Sequence, residues 1–185
     1  MNLETDKIGI LRSMTDSDLE LVLKWRNAPE VRKNMYTQHE ITFKNHLKWW
    51  ESVKVNPSCK YLIFEVEGAP TGLVNFTEID PTHGTAFWGF YASTTAPRGT
   101  GSRMEFLALD YAFGPLGLNK LCCEILAFNT AVISLHMKFE FSEEGIFKAH
   151  KKINNAYENV HRLAIFSQEW AVHRPEMLAK ISRRL

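Results

Sequence analysis

The fold class predicted from the sequence is an α/β or α+β domain built around one mixed sheet. Three observations predict it. The hydrophobic pattern alternates between periods of two and of about 3.6 residues, and reads in order β-α-α-β-β-β-α-β-α-β-β. The chain has 185 residues, 45% of them hydrophobic and 23% charged, which suits one core of ordinary globular composition. No repeat, low-complexity stretch or Gly/Ser-rich linker divides it, so residues 1–185 are read as a single domain, with a core over about 8–166 and a helical C-terminal segment over 167–185.

The elements follow from local signals. Ile8 to Arg12 is a short apolar run that reads as a strand. Thr15 with Asp18 three residues on resembles a capping box and opens a helix through Leu19, Val22 and Trp25 to Arg26-Asn27. Pro29 interrupts it, and an irregular or helical piece carries Arg32 and Met35-Tyr36. Thr42 caps a second helix running through Phe43, His46, Leu47, Trp49 and Trp50 and ending before Asn56-Pro57. Lys60–Glu67, Thr71–Ile79 and Thr85–Ala92 are strands separated by Gly68-Ala69-Pro70 and by Asp80-Pro81 with His83-Gly84. Met104–Phe113 has the pattern of a buried helix, stopped by Gly114-Pro115 and Gly117. Leu121–Phe128 is a strongly apolar strand, and Asn129 opens a helix to about Phe139. Strands near Ser142–Ile153 and Tyr157–Phe166 flank Asn154-Asn155, a hairpin turn. Ser167 caps a last helical region that Pro175 is expected to break.

Charge and cysteine usage exclude several classes. Lys plus Arg number 22 against 21 Asp plus Glu, a formal net charge of +1, which gives no electrostatic case for nucleic acid or an acidic membrane as partner. The N-terminal Met1–Lys7 is polar, without the apolar stretch of a signal peptide, and no run reaches the roughly 18 apolar residues of a membrane helix. Cys59, Cys122 and Cys123 form no Cys-x-x-Cys pair, and the seven histidines are scattered, so neither a disulfide framework nor a metal site is expected. A reduced, cytoplasmic protein is the expectation. The aromatic share is less ordinary: 12 Phe, 5 Tyr and 5 Trp can all be core, or some can line a site for a flat ligand.

Chemistry concentrates in Ala92–Ser102, Ala-Ser-Thr-Thr-Ala-Pro-Arg-Gly-Thr-Gly-Ser, between an aromatic strand and an apolar helix. Gly99 and Gly101 let the backbone approach a ligand closely, the helix N-terminus favours an anion, and Arg98 and Arg103 add positive charge beside it. It is not a nucleotide P-loop, because no Gly-Lys-Ser/Thr follows.

Together with Asn129, Leu135, His136, Lys138 and Phe141 downstream, this segment resembles the GNAT superfamily of acetyl-CoA-dependent N-acetyltransferases. Their phosphate loop reads Gln/Arg-x-x-Gly-x-Gly/Ala, and their following helix carries an Asn and then Tyr-x-Lys-x-Gly-Phe. Here Ala96 replaces the Gln/Arg, His136 the Tyr and Glu140 the Gly, while both loop glycines are kept. Trp25-Arg26-Asn27, Val31-Arg32, Met35-Tyr36, His46 to Trp49-Trp50 and Cys123–Asn129 are similar to the nucleotide-sugar branch of that superfamily. That branch acetylates the 4-amino group of a UDP-linked amino sugar.

The resemblance implies the GNAT fold, a mixed and mostly antiparallel twisted sheet of about seven strands with flanking helices, and direct acetyl transfer from acetyl-CoA without a metal. Phe90, Tyr91 and Ala92 would splay from the neighbouring strand and pair with the pantetheine. Arg98, Gly99, Thr100, Gly101, Ser102 and Arg103 would hold the pyrophosphate, with Asn129 and Lys138 also on the cofactor side. Glu124, a carboxylate inside an apolar strand, is the candidate base, and His136, at the position of the superfamily's acid Tyr, the candidate acid. On the acceptor side, Arg26 is placed against a diphosphate, with Met35, Tyr36, Trp49 and Trp88 on uracil and sugar faces, His46 on the nucleotide, and Asn75 and Thr77 on the sugar or a water. Core packing is the expectation for Trp25 and Trp50. The expected partner is a UDP-4-amino-4,6-dideoxy sugar, not nucleic acid or membrane, and a homodimer is allowed. The competing readings are a protein N-terminal acetyltransferase and an inactive acyl-CoA-binding module.

Overall fold

The computed structural model describes residues 8–183 and 185. The polar segment Met1–Lys7 lies outside them. Among the described residues seven strands form one sheet in the order β1-β2-β3-β4-β5-β7-β6. They are β1 (Ile10–Ser13), β2 (Lys60–Val66), β3 (Ala69–Asp80), β4 (Thr85–Ala92), β5 (Lys120–Leu126), β6 (Ser142–Ile153) and β7 (Ala156–Phe166). Every neighbouring pair is antiparallel except β4 with β5. Six α-helices accompany them: α1 (Leu19–Asn27), α2 (Pro29–Arg32), α3 (Phe43–Val53), α4 (Thr100–Phe113), α5 (Thr130–Lys138) and α6 (Ser167–Ser182). The mixed, mostly antiparallel sheet with flanking helices is the architecture expected from sequence.

Alternation along the strands gives the sheet two packed faces. On one face Ala86, Trp88, Cys123 and Ile125 join Phe106 and Leu109 of α4 and Trp170, Met177 and Ile181 of α6. On the other, Ile63 and Leu73 meet Leu19, Val22 and Trp25 of α1 and Trp50 of α3. Trp25 and Trp50 are thus core residues, as expected, and Trp50 donates through Nε1 to Asp16 at 2.5 Å. The three cysteines are free thiols.

Two local expectations meet different outcomes. Asn154 and Asn155 take φ of 47° and 68° and join Ile153 to Ala156, so they form the two-residue hairpin turn that Asn favours. Pro175, in contrast, does not break the last helix, which is continuous from Ser167 to Ser182. The missing backbone bond is offset by side-chain contacts on one helix face. Trp170 Nε1 and Arg174 Nε donate to Asp110 Oδ1 at 2.9 and 2.7 Å, and Arg174 Nη2 donates to Asp110 Oδ2 at 2.7 Å, tying α6 to α4 before the proline, while Met177 and Ile181 pack into the core after it.

Candidate active site

The parallel pair β4–β5 makes the site. Only Thr85, Ala86 and Phe87 of β4 pair with Lys120, Leu121 and Cys122 of β5, although β4 continues to Ala92 and β5 to Leu126. Beyond Phe87 the two strands part, and the inner edge of β4 loses its ladder partner. A cavity of about 730 Å³ opens at this split, of a size suited to a small molecule. Its walls come from both faces of the sheet. Arg26, His46, Trp49, Tyr61, Asn75 and Tyr91 line it on the α1/α3 face; Trp88, Phe90, Val132 and His136 line it on the α4/α5 face. A closed sheet would separate these two groups.

Two acid–base candidates stand on opposite sides of the split. Glu124, half-buried on β5, alternates with Cys123 and Ile125 and so faces the α1/α3 side. Tyr36 Oη donates to its Oε2 at 3.1 Å, and Arg162, its cross-strand partner on β7, approaches its Oε1 with Nη1 at 3.4 Å. His136, 2% exposed on α5, lies on the other side. Its Nδ1 is 2.7 Å from Oε1 of Glu105, a fully buried carboxyl of α4, which leaves Nε2 as the ring nitrogen that can meet a bound molecule. Trp88, Phe141 and Phe90 enclose the ring, with centroids at 5.2, 5.0 and 6.0 Å.

A second cavity, about 410 Å³, lies at the N-terminus of α4 and is lined by Arg98, Gly99, Ser102, Arg103, Leu135, Lys138 and Lys180 among others. Gly99 is the helix N-cap at φ +89°, a left-handed conformation, with open space where a side chain would stand. A Cβ on Gly101 would come within 3.3 Å of a Leu135 methyl, so a larger residue there requires that side chain to shift. At the first turn of α4 the Thr100 amide donates to the Pro97 carbonyl at 3.2 Å, and the next amides, those of Gly101 and Ser102, lack intrahelical acceptors beside this space with Arg98, Lys138 and Lys180 in its wall.

The acetyltransferase (GNAT) domain model matches residues 10–142, which span the split and the glycine turn. The chain belongs to the GNAT acetyltransferase family. It is an acetyl-CoA-dependent N-acetyltransferase. The acetyltransferase PseH of Campylobacter jejuni is 26% identical over 136 residues, 74% of this chain and 84% of its own. The spermidine N(1)-acetyltransferase of Escherichia coli K12 is 27% identical over 161 residues, 86% of this chain and 87% of its own. The fold is shared with the Vibrio cholerae spermidine N-acetyltransferase solved with CoA and spermine, at a TM-score of 0.83 and 21% identity, covering 88% of this chain and 97% of that one.

The residues of this GNAT chain fit acetyl-CoA. The unladdered edge Trp88–Ala92 would offer backbone groups to the pantetheine amides, and the Gly99 turn with Arg98 and Lys138 would offer positive charge and amides to the phosphates. Among the described residues no cluster of His, Cys, Asp and Glu could hold a metal, and no helix is long and apolar enough to cross a membrane.

Several expected site residues sit differently. Thr100 is 3% exposed and its hydroxyl donates to the Pro97 carbonyl at 2.7 Å, so only its backbone belongs to the phosphate-facing turn. Arg103 is largely buried and donates through Nε to the Ile8 carbonyl at 2.5 Å, an anchor for the N-terminal strand as well as a wall of the second cavity. Trp88 is not an open platform. Its place on the core face of β4 buries it to 5% exposure, stacked on Phe90, with an edge in the cavity wall. Thr77, further along β3, lines neither cavity; Asn75 lines the first. Asn129, Met35, His46 and Trp49 also line the first cavity, and His46 stacks on Trp49 at 4.9 Å. Tyr36 meets the site through Glu124. Sequence reasoning missed Glu105, although a lone acid between Met104 and Phe106 in an apolar helix is a signal for a buried partner.

The glycine turn gives a direct prediction. Gly99→Ala places a Cβ on a left-handed residue at a cost of about 1–2 kcal/mol. KM for acetyl-CoA is expected to rise about tenfold, with the circular-dichroism spectrum preserved; an unchanged KM would show that the turn does not meet the cofactor.

Proposed function

We propose that this enzyme acetylates the 4-amino group of a UDP-4-amino-4,6-dideoxy-N-acetylhexosamine, the acceptor type of pseudaminic acid biosynthesis. One observation carries the reading. Arg26 holds the Thr37 carbonyl through Nη2 at 3.0 Å, while its buried Nη1 has no protein partner in the acceptor wall of the cavity. A half-buried guanidinium with a spare N–H calls for an anionic or carbonyl oxygen, as a diphosphate or uracil provides. His46, 4% exposed, likewise presents an unpartnered Nε2, and burial holds its pKa below the ordinary histidine value, so it is neutral near pH 7. Trp49 and Tyr61, edge to face at 4.9 Å, complete an aromatic wall.

A polyamine fits this wall less well. It would bring further positive charge toward Arg26, and Glu124 is already engaged by Tyr36 and Arg162. The other carboxylate lining the cavity, Glu30, is at the exposed rim.

In this reading acetyl-CoA supplies the acetyl thioester along β4, and the sugar amine enters from the α1/α3 face. Glu124 takes the amine proton, directly or through water, as the nitrogen attacks. His136, across the split, donates Nε2–H toward the departing sulfur. Holding the two reactants in one gap from opposite faces provides the proximity on which direct transfer depends.

Initial rates with one acetyl-CoA stock and three acceptors, the UDP-amino sugar, spermidine and a protein N-terminal peptide, test the assignment. The UDP-amino sugar is expected to be the preferred acceptor. Arg26→Met is expected to raise its KM by about 10- to 100-fold, the worth of a charged hydrogen bond. Turnover confined to spermidine or to peptide would overturn the assignment, and no turnover on any amine would leave an acyl-CoA-binding module.

A further inference from the structure

We infer that Glu105 is a positioning residue that stores a proton behind His136, fixing the ring with its hydrogen on Nε2 and resupplying Nδ1 when that hydrogen is given up. The inference rests on the proposed role of His136. Glu105 has no exposure, touches His136 Nδ1 through Oε1 at 2.7 Å, and leaves Oε2 buried without a hydrogen-bond partner. An ionised carboxylate with an orphaned oxygen in apolar surroundings is costly, whereas the neutral acid donating Oε1–H to Nδ1 leaves only a carbonyl-type oxygen unpaired. Burial pushes the Glu105 carboxyl above its ordinary range, with His136 opposing. The other titratable group facing it, the Cys123 thiol, is pushed well up by burial and is neutral. The resting pair is therefore Glu105–H against a neutral ring whose hydrogen sits on Nε2, the nitrogen left for the cavity.

The proton balance closes. As the new N–C bond forms and the C–S bond breaks, Glu124 receives the amine proton, and His136 gives its Nε2 hydrogen to the sulfur. Nδ1 takes the Oε1 proton in the same movement, so the ring stays neutral and Glu105 becomes a carboxylate. After product release, Glu124 gives the amine proton to solvent, solvent returns one to Nε2, and Nδ1 returns its own to Glu105. A pair kept for stability alone would be replaceable by apolar side chains of similar volume without loss.

The test begins with the full chain free of ligands, labelled with ¹⁵N-histidine, because nitrogen shifts distinguish the two tautomers without any acceptor. A neutral His136 with its hydrogen on Nε2 near neutral pH is expected. Glu105→Gln can donate an amide N–H to Nδ1 and so keep that tautomer, but it has no proton to pass. Its kcat is expected to fall at least about tenfold, with KM for acetyl-CoA and the thermal midpoint close to wild type. Glu105→Leu is expected to lose both the fixed tautomer and turnover; if it fails to fold, the wild-type tautomer and the Gln variant still decide. A wild-type hydrogen on Nδ1, or wild-type kcat in Glu105→Gln, overturns the inference. Full turnover in His136→Phe would instead show that the role given to His136 is wrong, whichever acceptor the enzyme uses.

Discussion

Glu124→Gln is expected to lower kcat by about 10²- to 10⁴-fold, the usual contribution of a positioned general base. The substitution keeps the shape of the side chain, with the amide oxygen accepting from Arg162 and the amide N–H able to donate to the Tyr36 hydroxyl, so the walls of the split are retained. What it removes is the ability to take a proton from the amine. KM for acetyl-CoA is expected to stay near wild type, since the groups proposed to hold the cofactor lie on the other face and around Gly99. The defect is expected to shrink at alkaline pH, where more of the amine arrives unprotonated. Steady-state kinetics across pH check both points; wild-type kcat at neutral pH would remove Glu124 from the reaction.

His136→Phe is the second large effect, with kcat expected to fall by about 10²-fold or more while acetyl-CoA binding by calorimetry changes little. Phenylalanine keeps most of the ring packing against Trp88 and Phe141 but deprives Glu105 of its side-chain hydrogen bond to residue 136. That has a stability signature with a defined sign. The folded carboxyl of Glu105 already sits above its unfolded value because of burial, and losing His136, which opposes the shift, raises it further. Between the unfolded and folded values the native state binds more protons than the unfolded one, so stability falls as pH rises through that window. Because the resting wild-type carboxyl is already protonated near neutrality, the variant is expected to lose thermal midpoint, relative to wild type, as pH rises from neutrality into the alkaline range, between the two folded values. Equal midpoints of both proteins across that range, with kcat unchanged, would contradict both the pairing and the role.

How much of this was legible in the sequence depends on the range of the interaction involved. The hairpin at Asn154-Asn155 was readable because its turn is chosen by two adjacent residues that tolerate positive φ. The glycine turn was readable for the same reason, since Gly99 acts through its own backbone. Pro175 was misread because local propensity says break, while contacts from Asp110, far away in the chain, hold the helix together. Trp88 was misplaced because an aromatic strand can present either face, and only the packing of α4 and α5 decides which one is core. Glu105, a lone acid in an apolar helix, signals a buried partner but not which one, because His136 lies 31 positions away on another helix. The gap itself was anticipated only through the family resemblance, since nothing in the apolar runs of β4 and β5 says that their pairing stops after Phe87 and Cys122.

The central claim is that acceptor and cofactor meet through the split in the sheet from opposite faces, between Glu124 and His136. The most direct measurement is a crystal structure of the full chain with CoA and the UDP-4-amino sugar bound together. The account predicts the diphosphate or uracil on Arg26, the amine within hydrogen-bond reach of Glu124 or one water away, and the CoA sulfur on the His136 side of the gap. A UDP-amino sugar bound outside the Arg26 wall, or an amine and sulfur that approach from the same face of the sheet, would contradict it.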